Sequence, residues 1–115
     1  MNNKVKLINI VSIACRAGKV MSGEFVIEKA LSSKNNIKLI LLANDVADAT
    51  KAKYEKMAKN SKVLLRYTEL TKDEMANSIG KTDRAAIAIC DEGFKKAILK
   101  ILDIGKPGGW LNVQI

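Results

Sequence analysis

Histidine is absent from the 115-residue chain. That removes the commonest general base, the Ser-His and Cys-His nucleophile pairs, and the commonest zinc ligand. Cysteine is nearly absent too. Cys15 and Cys90 stand far apart, show no metal-ligand spacing, and read as buried reduced thiols. Aromatic residues make up 4% of the chain, too few for a base-stacking platform along a single strand. No apolar run approaches the ~20 residues of a membrane span, and no charged-apolar-small leader opens the chain. The Gly-x-x-x-x-Gly-Lys-Ser/Thr phosphate loop is missing, and Gly18-Lys19 alone does not replace it. Internal repeats and low-complexity tracts are lacking as well. These absences give the expectation of a cytosolic protein without membrane attachment, resident metal or cofactor, and without an evident enzymatic activity.

What is present begins with charge. The net charge is +8 and the isoelectric point is near 9.6. Lysine and arginine displace condensed counterions from a phosphate backbone, so the excess favours a nucleic-acid partner. Hydrophobic residues make up 48%, enough for one folded core in a chain of single-domain length.

Apolar residues then set the elements. Leu7, Ile8, Val11, Ala14 and Cys15 follow helical spacing over 4–16, with Gly18 as the stop. Val5, Leu7, Val11 and Ile13 also alternate as in a strand, but the length favours helix. A second helix is expected from Ser22 to Lys34, with Ser22 as N-cap and Gly23 leaving room for another backbone. Its inner stripe is Ile27, Ala30 and Leu31, with Val26 beside it. Such a start directs N–H groups and a positive dipole end outward, which suits anions.

The run 37–43 reads as a strand buried on both faces. A helix over 48–60 is expected to pack through Tyr54, Met57 and Ala58, with Lys51, Lys53, Lys56 and Lys59 outside. Further elements are a second buried strand over 62–67, a short helix opened by a Thr71–Glu74 capping box and stopped by Gly80, a third buried strand over 85–90, and a helix over 92–104. Gly105-Lys106-Pro107-Gly108-Gly109 breaks the chain, so the expected organisation is a domain over 1–104 and a tail over 105–115. Helices alternating with short buried strands imply an α/β fold, helices covering both sheet faces. Asp45, Asp48, Asp91 and Glu92 fall near strand ends, where carboxylates serve as caps and first-turn acids more often than as metal ligands.

An ordered set of motifs adds to this reading. Arg16-Ala17-Gly18-Lys19-Val20, Ser22-Gly23-Glu24 and Lys29-Ala30 are followed by Lys38-Leu39-Ile40-Leu41-Leu42-Ala43-Asn44-Asp45, Ser78-Ile79-Gly80-Lys81 and Arg84-Ala85-Ala86-Ile87-Ala88-Ile89. From about residue 5 to 104 the chain resembles the ribosomal L7Ae family, which includes the related L30e and S12e proteins, and most of all its short bacterial branch. The resemblance implies a three-layer α/β/α sandwich with a mixed, roughly four-stranded sheet. It also implies a non-enzymatic protein that binds structured RNA, either kink-turn or ribosomal RNA, with the ribosome or translation factors as further partners. A distorted, opened groove admits a helix end that a regular A-form major groove excludes. The family's glycine at the helix start matches Gly23, and its groove-facing lysine matches Lys29. The Asn-Glu pair that reads guanines in archaeal members is replaced here by Phe25 and Val26. The family's second acidic contact falls on Asn44, beside Asp45, and its capping loop falls on the more charged stretch from Lys81 to Arg84. The expected RNA-binding set is therefore Lys19, Ser22, Gly23, Glu24, Phe25, Val26, Lys29, Asn44, Asp45, Lys81 and Arg84. Lys53 and Lys56 are expected to lie outside it. The other reading keeps the fold and gives an apolar patch of Met21, Phe25 and Val26 to a protein partner in translation.

Overall fold

Two runs of four aliphatic residues, Leu39–Leu42 and Ala86–Ile89, have no polar side chain to turn toward water, so both faces of each must be covered. They form β2 and β4 and pair antiparallel at the centre of the sheet, Leu39 opposite Ile89 and Leu42 opposite Ala86. The computed structural model describes residues 2–33 and 36–103. Around the central pair it places β1 (Val20–Ser22) beside β4 and β3 (Leu64–Tyr67) beside β2, in the order β1-β4-β2-β3. β1 is antiparallel to β4 and β3 is parallel to β2.

Successive side chains on a strand point to opposite faces, so each run feeds two cores. Leu39, Leu41, Ile87 and Ile89 pack with Leu7 and Val11 of α1 (Asn3–Arg16), Met75 of α4 (Lys72–Ser78) and Ile98 of α5 (Glu92–Asp103). Ile40, Leu42, Ala86 and Ala88 pack with Ile27 and Ala30 of α2 (Glu24–Ser32) and Tyr54 and Ala58 of α3 (Asp48–Ser61). The expected three-layer α/β/α sandwich with a mixed four-stranded sheet is therefore what the chain forms.

The local signals account for most element ends. Asn2 opens α1 by accepting from the Val5 N–H at 2.8 Å. The helix resolves the ambiguity at 4–16, and Gly18, at φ +75°, turns the chain after the Ala17 cap. The Thr71–Glu74 capping box forms in both directions, at 3.1 and 2.9 Å, and Gly80 follows α4 at φ +71°. Asp91 caps α5 by accepting from the Phe94 N–H at 2.9 Å. Asp45 does the same for α4, accepting from the Lys72 N–H at 2.8 Å. Both carboxylates thus take the capping role.

Four expectations are corrected. Ser22 is not the N-cap of α2 but the last residue of β1, a strand whose three residues are too few to show periodicity. Gly23 is the cap residue, at φ 94°, and no side chain caps the helix. β3 starts at Leu64, because Lys62 ends α3 in the left-handed conformation at φ 57° and cannot also be extended. β3 is an edge strand with Leu64 and Tyr67 exposed, not a third buried run. The two thiols are free but only half-buried. Burial pushes the Cys90 thiol up from its ordinary value, against the opposing charge of Lys19. The expected tail over 105–115, Ile104 and Lys34 lie outside the described residues. Among the described residues no helix is long and apolar enough to cross a membrane.

Ile40 is fully buried between α2 and α3. Ile40→Ala is expected to lower unfolding free energy by about 2–5 kcal/mol, from lost transfer energy and a cavity, measured by urea denaturation. Tyr54 is buried in the same core, and burial, then the charges of Glu24 and Glu28, push its hydroxyl up to about 12. A phenol whose folded value exceeds its unfolded one stabilises the fold fully below the unfolded value, near 10, and loses that contribution as pH rises toward the folded value. Wild type should therefore lose up to about 2 kcal/mol relative to Tyr54→Phe between pH ~10 and ~12, read from denaturation at several pH values. Parallel pH dependence of the two proteins would contradict this.

Candidate functional site

Strand direction gathers the candidate residues. β1 and β2 both run opposite to β4, and β3 runs with β2. The segments leaving β1, β2 and β3 and the segment entering β4 therefore share one end of the sheet. That end carries Gly23, Asn44, Asp45 and the stretch from Lys81 to Arg84. The geometry is tied by hydrogen bonds. The Ala43 N–H donates to the Ala85 carbonyl at 2.9 Å, and the Asn44 N–H to the Leu70 carbonyl at 2.8 Å.

Arg84 holds two of these segments together. Its Nε donates to Ser22 Oγ at 3.1 Å, and its Nη1 to the Thr82 and Asp83 carbonyls at 2.8 and 3.4 Å. Three of the five guanidinium N–H groups are thereby used within the chain. The side chain is half-buried and shapes the loop, with Asp83 held at φ 49° beside it. Ser22, expected to cap α2, is instead the acceptor that anchors this arginine.

Asn44 and Asp45 are exposed, and both bond within the fold. Asn44 Nδ2 donates to the Glu69 carbonyl at 3.1 Å. Asp45 is the α4 cap described above. Lys19 and Lys81 are exposed, and their backbone N–H groups bond to Ala14 and Ala76 carbonyls at 2.9 Å each. The Lys19 carbonyl accepts from Cys90, which brings the turn before β1 beside the end of β4 remote from Arg84. Lys19 is thus set apart from the loop of Lys81 to Arg84, while the other predicted residues lie at or next to the shared end.

α2 presents the remaining candidates. Glu24 pairs with Lys53 of α3, and that hydrogen bond raises the Lys53 ammonium above its ordinary value. Lys53 is therefore joined to the candidate site, contrary to the expectation that it lies outside; 29 residues separate the partners, and spacing within one helix could not reveal the pair. Phe25 is 74% exposed and Val26 48%. Lys29 is exposed and forms no ion pair among the described residues. Met21, Phe25, Val26, Lys29, Ala30 and Ser33 line a groove of about 400 Å³ between α2 and the β1 edge of the sheet. Ala30 and Ser33 were not among the expected residues. The four-residue steps Phe25–Lys29–Ser33 and Val26–Ala30 are the signal that places them there.

The described residues contain no group of three or more carboxylates or thiols able to hold a metal ion. The arrangement offers an uncapped helix start, exposed cations and one apolar groove, all suited to binding.

Comparisons with known proteins agree with the fold. The RNA-binding protein YlxQ of Bacillus subtilis (strain 168) is 32% identical over 94 residues, covering 82% of this chain and 92% of the relative. The RNA-binding protein YlxQ of Enterococcus faecium is 29% identical over 103 residues, covering 88% and 95%. A solved protein of unknown function from Bacillus halodurans superposes with a TM-score of 0.77 at 23% identity, covering 85% of this chain and 97% of that one. The Giardia lamblia 15.5kD RNA binding protein superposes with a TM-score of 0.66 at 13% identity, covering 87% and 84%. The model of the Ribosomal protein L7Ae/L30e/S12e/Gadd45 family matches residues 6–99, and the chain belongs to that family.

Proposed function

We propose that this protein binds structured RNA, without catalysis, through the start of α2 and the loops after β2 and before β4. The observation that carries the reading is the start of α2. Gly23 opens the helix at φ 94° with no side-chain cap, and the exposed Lys29 stands two turns into it. Helix N–H groups and the positive dipole end then face outward with a cation nearby, and phosphate is the anion that fits both. The net charge of +8 supports a polyanionic partner, as do the printed names of the relatives.

The finer reading is that the RNA is kinked or bulged, of the kink-turn type or within ribosomal RNA, and that binding takes place in the cytoplasm, on or near the ribosome. A helix end enters only an opened groove, which a regular duplex does not offer. Lys29, Gly23 and the Lys81 loop supply the contacts to it, with Glu24, Phe25, Val26, Asn44 and Asp45 around them, while Lys19, at the other end of β1, adds only to the general basic charge. Ser22 and Arg84 set the loop's shape and leave Arg84's remaining N–H groups for phosphate.

Lys29→Ala is expected to cost about 1–3 kcal/mol of binding to a kink-turn RNA at fixed salt, measured by gel shift. Lys96→Ala serves as control, being exposed on α5 in the opposite helical layer. Wild-type affinity in Lys29→Ala together with a loss in Lys96→Ala would place the interface elsewhere. Replacing the G·A pairs of the RNA should weaken wild-type binding if the kink is what is read. With about 4 phosphates contacted, log affinity should fall against log salt with a slope near −3 to −4. A flat response would show that the basic surface does not serve nucleic acid.

A further inference from the structure

Phe25 is the most exposed of the large apolar side chains among the described residues. Burying a phenylalanine ring is favourable, and the fold leaves most of that gain unrealised here. Neighbours on α2 do not hide it. Ile27 and Ala30 turn inward, while Phe25, Val26 and Met21 form the apolar wall of the groove beside β1. Its volume, about 400 Å³, lies within the usual range of small-ligand sites.

The chemistry of the lining selects the occupant. Among the described residues Lys29 is the one charged side chain lining the groove, and no carboxylate lines it. Glu24 is drawn away to Lys53 on α3. The Ser33 hydroxyl is spent on the Lys29 and Ala30 carbonyls at 3.0 and 3.4 Å. A ligand that fits offers a flat apolar face and a negative charge a few ångströms from it. A nucleotide has both. A protein partner needs roughly 800 Å² of surface on each side, and six residues do not provide it.

We infer that the groove takes one unpaired nucleobase of the bound RNA, stacked on the Phe25 ring, with that nucleotide's phosphate on Lys29. This rests on the RNA-binding reading above and names how the same site selects its target. A bulged or splayed base reaches the groove, whereas a base inside a duplex does not. One aromatic makes an anchor for one base, which is compatible with an aromatic content of 4%.

The test uses the full chain and two RNA hairpins, one fully paired and one with a three-nucleotide bulge carrying 2-aminopurine. Wild type should prefer the bulged hairpin and change its fluorescence. Phe25→Ala should weaken bulged-hairpin binding about tenfold, within the range for one stacked base. It should abolish the fluorescence change and leave the salt slope as in wild type. Phe25→Trp should bind within about threefold of wild type, and Phe25→Leu should fail as Phe25→Ala does, since it keeps apolar area but loses the ring face. Lys29→Ala should lower the salt slope by about one. Thermal midpoints should stay near wild type, because residue 25 is 74% exposed. If Phe25→Ala binds the bulged hairpin normally while Lys29→Ala does not, the stacking site is wrong and the RNA reading stands. Wild-type binding by Phe25→Leu would also overturn stacking, leaving an apolar contact of the kind a protein partner would use. If wild type binds neither hairpin, both readings fall.

Discussion

The fold depends on two strands that must be covered on both faces. Every side chain of β2 and β4 is buried, so neither strand is stable until a helical layer lies on each side of the sheet. The period of two in a strand divides these eight residues into two sets. Each set is then satisfied by different helices. Leu41 and Ile87 need α1, α4 and α5; Ile40 and Ala88 need α2 and α3. A slip of one residue in the β2–β4 register would exchange the two sets across the sheet. It would set the alanines of β4 against α1 and α5 and its isoleucines against α2. The alanine face of β4 lets α2 and Tyr54 come close, and the isoleucine face fills the larger space beneath α1 and α5. The register and the layer assignment are thus one constraint.

That constraint also decides where the proposed binding end lies. With β4 running against the other three strands, the segments that leave β1 and β2 meet the segment that enters β4. Ala43, Val46 and Ala85 anchor those segments to the core, and polar contacts set the form of the residues between. The Arg84–Ser22 bond ties the loop before β4 to the end of β1, and Asn44 and Asp45 tie the segment after β2 to Glu69 and α4. A strand-built scaffold carries a rim shaped by side chain–backbone bonds, with Lys29 and Lys81 left exposed on it.

Periodicity made the layers legible before any coordinates. Runs such as 37–43 and 85–90 have too many aliphatic residues for a half-exposed strand, and α3 and α5 show their inner faces at helical spacing. Thr71 and Glu74 announced a cap that forms. What escaped was short or non-local. β1 has three residues and no alternation to read, so Ser22 was assigned by its capping propensity when tertiary pairing had a stronger claim. The open edge of β3 could not be seen either, because Leu64 and Leu65 look alike in sequence but differ in what covers them. At the proposed binding end, motif order named the residues, but the bonds among them could not be read from it. Ser22 and Arg84 are 62 residues apart, and Glu24 and Lys53 are 29 apart. No local rule connects either pair.

Unfavourable local choices concentrate where the chain departs from rules it follows elsewhere. α1 and α4 have side-chain caps, whereas α2 and α3 have none, and α2, at the proposed binding end, begins at a glycine. A glycine in place of a serine cap costs a few tenths of a kcal/mol in favourable cases, and φ 94° excludes most other residues. Asp83 adopts φ 49° in the loop before β4, a conformation that aspartate tolerates better than most. Phe25 stands in water two residues from the buried Ile27. Each departure is small beside the central core, where single large-to-small changes cost about 2–5 kcal/mol. A stable centre can therefore carry an end, the one proposed for binding, that is not optimised for stability. The start of α2 keeps its N–H groups and its aromatic ring outward, and a core-optimised sequence would have capped the one and buried the other.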